Sequence, residues 1–116
     1  MAKMSSPLTL LFIFLSYIMI NHLHVVSCKT WCVVTSTVTD AQLETNINFG
    51  CKLILDCRRI LPGGSCYVPN TLKSHASFVM NSYYQSHDRT KEACSFNNTG
   101  RIVTRDPSYG RCKYES

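Results

Sequence analysis

Seven cysteines, at positions 28, 32, 51, 57, 66, 94 and 112, constrain this chain more than any other feature. They follow an apolar N-terminal segment and are spread along the sequence after it. Lys3 gives that segment a positive start, and Leu8 to Ile20 is apolar apart from Thr9 and Ser16. The run suits a signal core and is short for a membrane span, which needs ~20 residues. Val25 and Ser27 are small enough for a signal-peptidase site. Residues 1–27 are therefore expected to be a secretory signal, with a cut after Cys28 as the alternative. Secretion implies an oxidising compartment, where spaced cysteines form disulfides. Cys28 borders the cleavage site, so the other six cysteines should form three bridges. Spacing alone does not choose the pairing. A zinc site is the weaker reading, because no close CxxC pair exists. No metal or cofactor is expected.

Residues 28–116 then form one domain of 89 residues. A domain of that size buries a modest share of its surface and benefits from covalent staples. No second run of spanning length exists, and the C-terminus lacks an apolar tail of the kind that signals a lipid anchor. A soluble monomer is expected.

Two helices are legible. Thr39-Asp40-Ala41-Gln42 has the capping-box form and opens a helix to about Leu53. Its buried face should carry Leu43, Ile47, Gly50 and Ile54, with Gly50 allowing another element to come close. Pro62-Gly63-Gly64 marks a sharp turn. After Pro69, Asn70 or Thr71 can cap a second helix running to about Gln85. In it Leu72, Ala76, Val79 and Tyr83 share one face, flanked by His75 and Met80. Ser74, Phe78, Asn81 and Gln85 lie roughly opposite, and Tyr84 points sideways. Trp31 to Val34, Cys94 to Phe96, Ile102 to Thr104 and Arg111 to Tyr114 read as short strands. Asp106-Pro107-Ser108-Tyr109-Gly110 is a turn. Asn97-Asn98-Thr99 is a glycosylation sequon.

With Lys3 removed, 11 Lys and Arg face 7 Asp and Glu, a charge of +4. The basic residues are scattered, so a solvated surface is favoured over a nucleic-acid patch. Contact with an acidic extracellular matrix is compatible with it. No nucleophile elbow, metalloprotease helix or phosphate loop appears. A glycosidase needs two carboxylates flanking a cleft, and spacing selects no such pair. No catalytic residue is assigned.

Nine aromatics remain after the signal: Trp31, Phe49, Tyr67, Phe78, Tyr83, Tyr84, Phe96, Tyr109 and Tyr114. So small a core does not easily hide them all. A flat ring can pack on the C–H face of a sugar while amides bond its hydroxyl rim. Trp31, Tyr83 and Phe96 are assigned to the core. For Tyr84 and Phe78 both core packing and ligand contact are open. The candidate ligand surface is Tyr84, Phe78, Asn81 and Gln85, extended by Tyr67 and Tyr109.

These residues together resemble the plant X8 domain, carbohydrate-binding module family 43. The carriers are Trp31-Cys32, Cys51, Asp56-Cys57, Gly64 with Cys66-Tyr67-x-Pro69-Asn70, His75-Ala76-Ser77-Phe78, Asn81-x-Tyr83-Tyr84-Gln85, Cys94-x-Phe96, and Asp106 to Gly110 before Cys112. The resemblance spans Trp31 to Tyr114. It implies a small disulfide-rich α+β fold with two helices, a small antiparallel sheet and long loops. It also implies the bridges Cys32–Cys94, Cys51–Cys57 and Cys66–Cys112. The function implied is non-catalytic binding of β-1,3-glucan, callose included, in the plant cell wall. No nucleic-acid partner is implied. The chain departs from the family pattern at Lys52 to Leu55, usually a small Gly-rich segment, and at the Asn97 sequon. A cationic cysteine-rich defence or signalling peptide is the competing reading.

Overall fold

The computed structural model describes residues 6–25, 28–53 and 56–116. Its elements are α1 (Pro7–Val25), β1 (Trp31–Val34), α2 (Asp40–Leu53), a 3-10 turn at Arg58–Ile60, α3 (Leu72–Ser86), a 3-10 turn at Glu92–Cys94, and β2 (Gly100–Val103). This is a small disulfide-rich α+β fold with one helix more than expected. The extra helix is α1, which lies in the segment read as a signal. Its large apolar side chains from Leu8 to Ile20 are mostly exposed. No helix among the described residues is long and apolar enough to cross a membrane. Lys3, Ser27, Ile54 and Leu55 lie outside the described residues.

Both α2 and α3 begin as their sequences dictate. Gln42 N–H donates to Thr39 Oγ1 at 3.2 Å, and Thr39 N–H donates to Gln42 Oε1 at 3.0 Å. That reciprocal pair satisfies two amides a bare helix start leaves free. Thr71, not Asn70, caps α3, its hydroxyl accepting from Ser74 N–H at 3.2 Å.

α3 is the centre of the molecule, not a one-sided surface helix. One apolar cluster joins its Ala76, Met80 and Tyr84 to Cys32, Val34, Leu43, Ala93 and Cys94. A second joins its Phe78 and Val79 to Trp31, Ile60, Cys66, Cys112 and Tyr114. Leu43 and Gly50 of α2 are buried, as the expected face requires, and Ile47 packs against both clusters. A Cβ on Gly50 would overlap Val79 Cγ1, so glycine there sets the α2–α3 approach.

β1 and β2 form an antiparallel pair, in register from Trp31 opposite Val103 to Val34 opposite Gly100. Two expected strands are absent. Cys94 lies in a 3-10 turn, and Phe96, Asn97 and Asn98 take left-handed φ values of 43°, 53° and 64°. The chain doubles back there, with Gly100 N–H donating to Ser95 O at 3.3 Å. Arg111 to Tyr114 contributes only an isolated bridge between Tyr109 and Cys112, which closes the Asp106–Gly110 turn. The disulfides are Cys32–Cys94, Cys51–Cys57 and Cys66–Cys112, the pairs the resemblance implies. Cys28 is free and exposed.

Candidate functional site

The structure removes three of the six expected ligand residues from the surface. Tyr84 is 2% exposed, Phe78 2% and Asn81 0%. Phe78 packs edge-on against Tyr114 at 5.5 Å and lies under the Arg59 guanidinium at 4.7 Å. Tyr84 buries its ring in the core and hydrogen-bonds Thr30 Oγ1 at 2.7 Å.

The amides have structural work. β1 uses one edge for β2, and the other edge faces α3. There Val34 N–H donates to Ser77 Oγ at 3.1 Å, and Cys32 N–H donates to Asn81 Oδ1 at 3.1 Å. Gln85 Nε2 then donates to Thr30 O at 2.8 Å. Positions 77, 81 and 85 step by four along a helix, and 34, 32 and 30 step by two along extended chain. Four helical residues rise ~6 Å and two strand residues ~6.6 Å. The repeats match, so the polar side of α3 acts as a substitute strand. Asn81 Nδ2 also donates to Glu115 O at 2.9 Å, tying down the C-terminal segment.

Tyr67 and Tyr109 each lie beside the first turn of α3, Tyr67 at His75 and Tyr109 at Ser74. Tyr67 stacks on His75 with centroids 5.7 Å apart, and His75 Nε2 donates to Tyr67 O at 2.7 Å. Tyr109 is 36% exposed and its hydroxyl bonds Ser74 Oγ at 3.1 Å. This surface is well separated along α3 from Tyr83.

A different site emerges near the other end of α3. An open cleft of about 330 Å³ lies between α2, α3 and the Cys94 loop. Phe49, Tyr83 and Phe96 line it, with Thr45, Asn46, Glu92, Ser95 and Asn97 among its polar lining. The ring centroids are 5.4 Å apart for Phe49–Tyr83, 5.6 Å for Tyr83–Phe96 and 6.1 Å for Phe49–Phe96. Phe49 is 46% exposed. Behind Tyr83, His87 stacks at 3.8 Å, and its Nδ1 donates to Tyr83 O at 2.8 Å. Tyr83 and Phe96, assigned to the core, do pack against the first apolar cluster, but they are half-buried and also wall the cleft. Phe49 is absent from the candidate surface read from the sequence; the signal for it was an aromatic off the buried face of α2, with no core to fill.

The cleft floor is held by one buried network. Asn46 Nδ2 donates to Thr99 Oγ1 at 2.8 Å, and that hydroxyl donates to Phe96 O. These bonds stabilise the left-handed Phe96–Asn98 turn, a conformation costly for a Phe and more readily taken by Asn. A Cβ on Gly100 would overlap Cys94 O, which fixes the turn from the other side.

One charged side chain, Glu92, lines the cleft among the described residues. The carboxylates held below their usual range lie elsewhere: Asp56, through its hydrogen bond with Arg58, and Asp106, through its bonds with Ser108. No cluster of metal-ligating side chains occurs among the described residues. What the cleft can do is pack apolar ring faces on aromatic walls while hydroxyls, amides and one carboxylate bond a polar rim.

Residues 30–101 match the X8 domain family. The chain is 48% identical over 86 residues to a glucan endo-1,3-beta-glucosidase of Triticum aestivum, covering 74% of this chain and 18% of that protein. It is 46% identical over 89 residues to the major pollen allergen Ole e 10 of Olea europaea, covering 76% of this chain and 72% of the allergen. It is 39% identical over 93 residues to plasmodesmata callose-binding protein 5 of Arabidopsis thaliana, covering 79% of this chain and 52% of that protein. The chain thus spans under a fifth of the wheat glucosidase and about half of the callose-binding protein.

Proposed function

The chain belongs to the X8 domain family, and from that membership we propose that it is a non-catalytic module binding β-1,3-glucan in the plant cell wall. The observation that carries this reading is the Phe49–Tyr83–Phe96 cleft with its polar lining. Aromatic walls suit the C–H faces of glucose rings, and Thr45, Glu92, Ser95 and Asn97 suit their hydroxyls. Relatives named for callose binding support the same ligand class. The part shared with the wheat glucosidase is 18% of that enzyme, which supports a binding role separable from hydrolysis. Residues 1–27 serve as a secretory signal in this reading, and the product is an extracellular monomer. Tyr67 and Tyr109 form a second, smaller contact surface. Glucan packs against the cleft rings rather than against Tyr84.

Sedimentation with insoluble β-1,3-glucan, with cellulose as control, tests the reading. Retention on the first and not the second is expected. Equal retention on both, or on neither, refutes it. Reducing sugar released from the glucan would refute the non-catalytic part.

A further inference from the structure

The Asn97 side chain lines the aromatic cleft and also borders a second cleft, on the Ala41–Asn46 side of Phe96. It is exposed, and the left-handed turn presents it on the rim directly after the Phe96 wall. Asn97-Asn98-Thr99 is an N-glycosylation acceptor. We propose that an N-linked glycan on Asn97 lies over the Phe49–Tyr83–Phe96 cleft and competes with glucan for it. The proposal rests on the cleft being the glucan site.

The chemistry of attachment is ordinary for the secretory route. Asn97 Nδ2 bonds to C1 of the first sugar, and the C1–O bond to a lipid-diphosphate donor breaks. The lipid diphosphate leaves with the electron pair, and the Nδ2 proton passes to a base on the transferase. Thr99, the third sequon residue, is 4% exposed, and its hydroxyl is bonded to Asn46 and Phe96. Its recognition by a transferase therefore precedes docking of the loop on α2.

Tethering decides the competition. A sugar linked to the rim is present at the cleft at roughly millimolar effective concentration, without any loss of translational freedom on contact. The three rings that suit a glucose face suit an N-acetylglucosamine face equally. A free oligosaccharide must displace that tethered ring or bind beside it. Glycosylated and bare chains would thus be weak and strong binders sharing one fold.

The test compares four proteins: the chain and N97Q, each secreted from plant cells and each made without glycan. Intact mass reports occupancy, and calorimetry with a soluble β-1,3-glucan oligosaccharide reports affinity. The secreted wild type should carry a glycan at Asn97 and bind more weakly than the bare chain, about tenfold for a tethered sugar that fills the cleft with a dissociation constant of about 0.1 mM. N97Q should bind equally whether secreted from plant cells or made without glycan, whatever the lost Asn97 amide itself costs in affinity. An unmodified Asn97 in the secreted protein, or equal affinities with and without glycan, overturns the proposal. Ring-proton shifts of Phe49, Tyr83 and Phe96 separate masking from glucan recognition. They should differ between glycosylated and bare chains even if neither binds glucan, and unchanged shifts overturn masking.

Discussion

Asn81→Ala separates a structural amide from a ligand-binding one. Asn81 is fully buried, and its Oδ1 accepts from Cys32 N–H while its Nδ2 donates to Glu115 O. Truncation leaves the buried Cys32 N–H without a partner, at a cost of about 1–3 kcal/mol. Glu115 is exposed, so water can replace the second bond, and its loss costs about 0.5–1 kcal/mol. Gln85 Nε2 keeps Thr30 O as its acceptor and contributes little to the loss. The sum is about 2–4 kcal/mol. For a domain of this size that lowers Tm by about 10–25 °C. Asn81→Asp keeps the acceptor for Cys32 N–H but buries a carboxylate against the Glu115 carbonyl. It should melt low at pH 7 and recover part of the loss in acid, where a protonated carboxyl can donate. Thermal melts of the oxidised proteins, run beside glucan-oligosaccharide isotherms below both transitions, give the answer. Wild-type stability with weakened binding would refute the strand-substitute account and return Asn81 to the ligand site.

Phe49→Ala should weaken oligosaccharide binding about three- to tenfold with little change in Tm, because one stacking wall is lost from a half-exposed position. Tyr84→Ala should instead cost about 3–5 kcal/mol, as truncation of a buried aromatic does; equal melts for the two variants would contradict this. Gly50→Ala should destabilise by about 1–3 kcal/mol, since its Cβ would overlap the buried, β-branched Val79, and a urea titration checks it. Removing Cys51–Cys57 should cost the least of the bridges, about 2 kcal/mol for its separation of 6 against about 4 kcal/mol for separations of 46 and 62, judged from melts of paired Cys→Ser variants. Burial pushes the Tyr114 hydroxyl above its ordinary value of 10.0, so its contribution is complete below pH 10 and is lost as pH rises further, when the unfolded chain ionises first. Tyr114→Phe should flatten that alkaline slope in melts, and an unchanged slope would rule Tyr114 out as its cause.

Much of the fold is written in short sequence signals. The Thr39–Gln42 box, the Thr71 cap and the Gly63 turn, at φ 86°, act through neighbours only a few residues apart. Gly50 also kept its expected meaning, because a missing side chain on an apolar face has few other uses. The reading of α3 failed for an equally physical reason. A helical pattern distinguishes apolar from polar faces, but assumes that the polar face meets water. Here it meets the free edge of β1, which offers N–H groups from residues 49 and 43 positions earlier. Ser77 and Asn81 satisfy them, so polar residues are buried and Tyr84 is carried inside with them.

The sequence by itself determined the supply of cysteines for the staples, the helix starts, the tight turns and the stock of aromatic rings. Those depend on residue type and on spacing within a few positions. Only the tertiary structure decided which rings face solvent. Phe49, Tyr83 and Phe96 come from α2, α3 and the Cys94 loop. They meet because the Cys32–Cys94 bridge and the Asn46–Thr99 bond fold that loop back onto the helices. Burial is a property of what surrounds a side chain, and these rings come from positions well apart in the sequence.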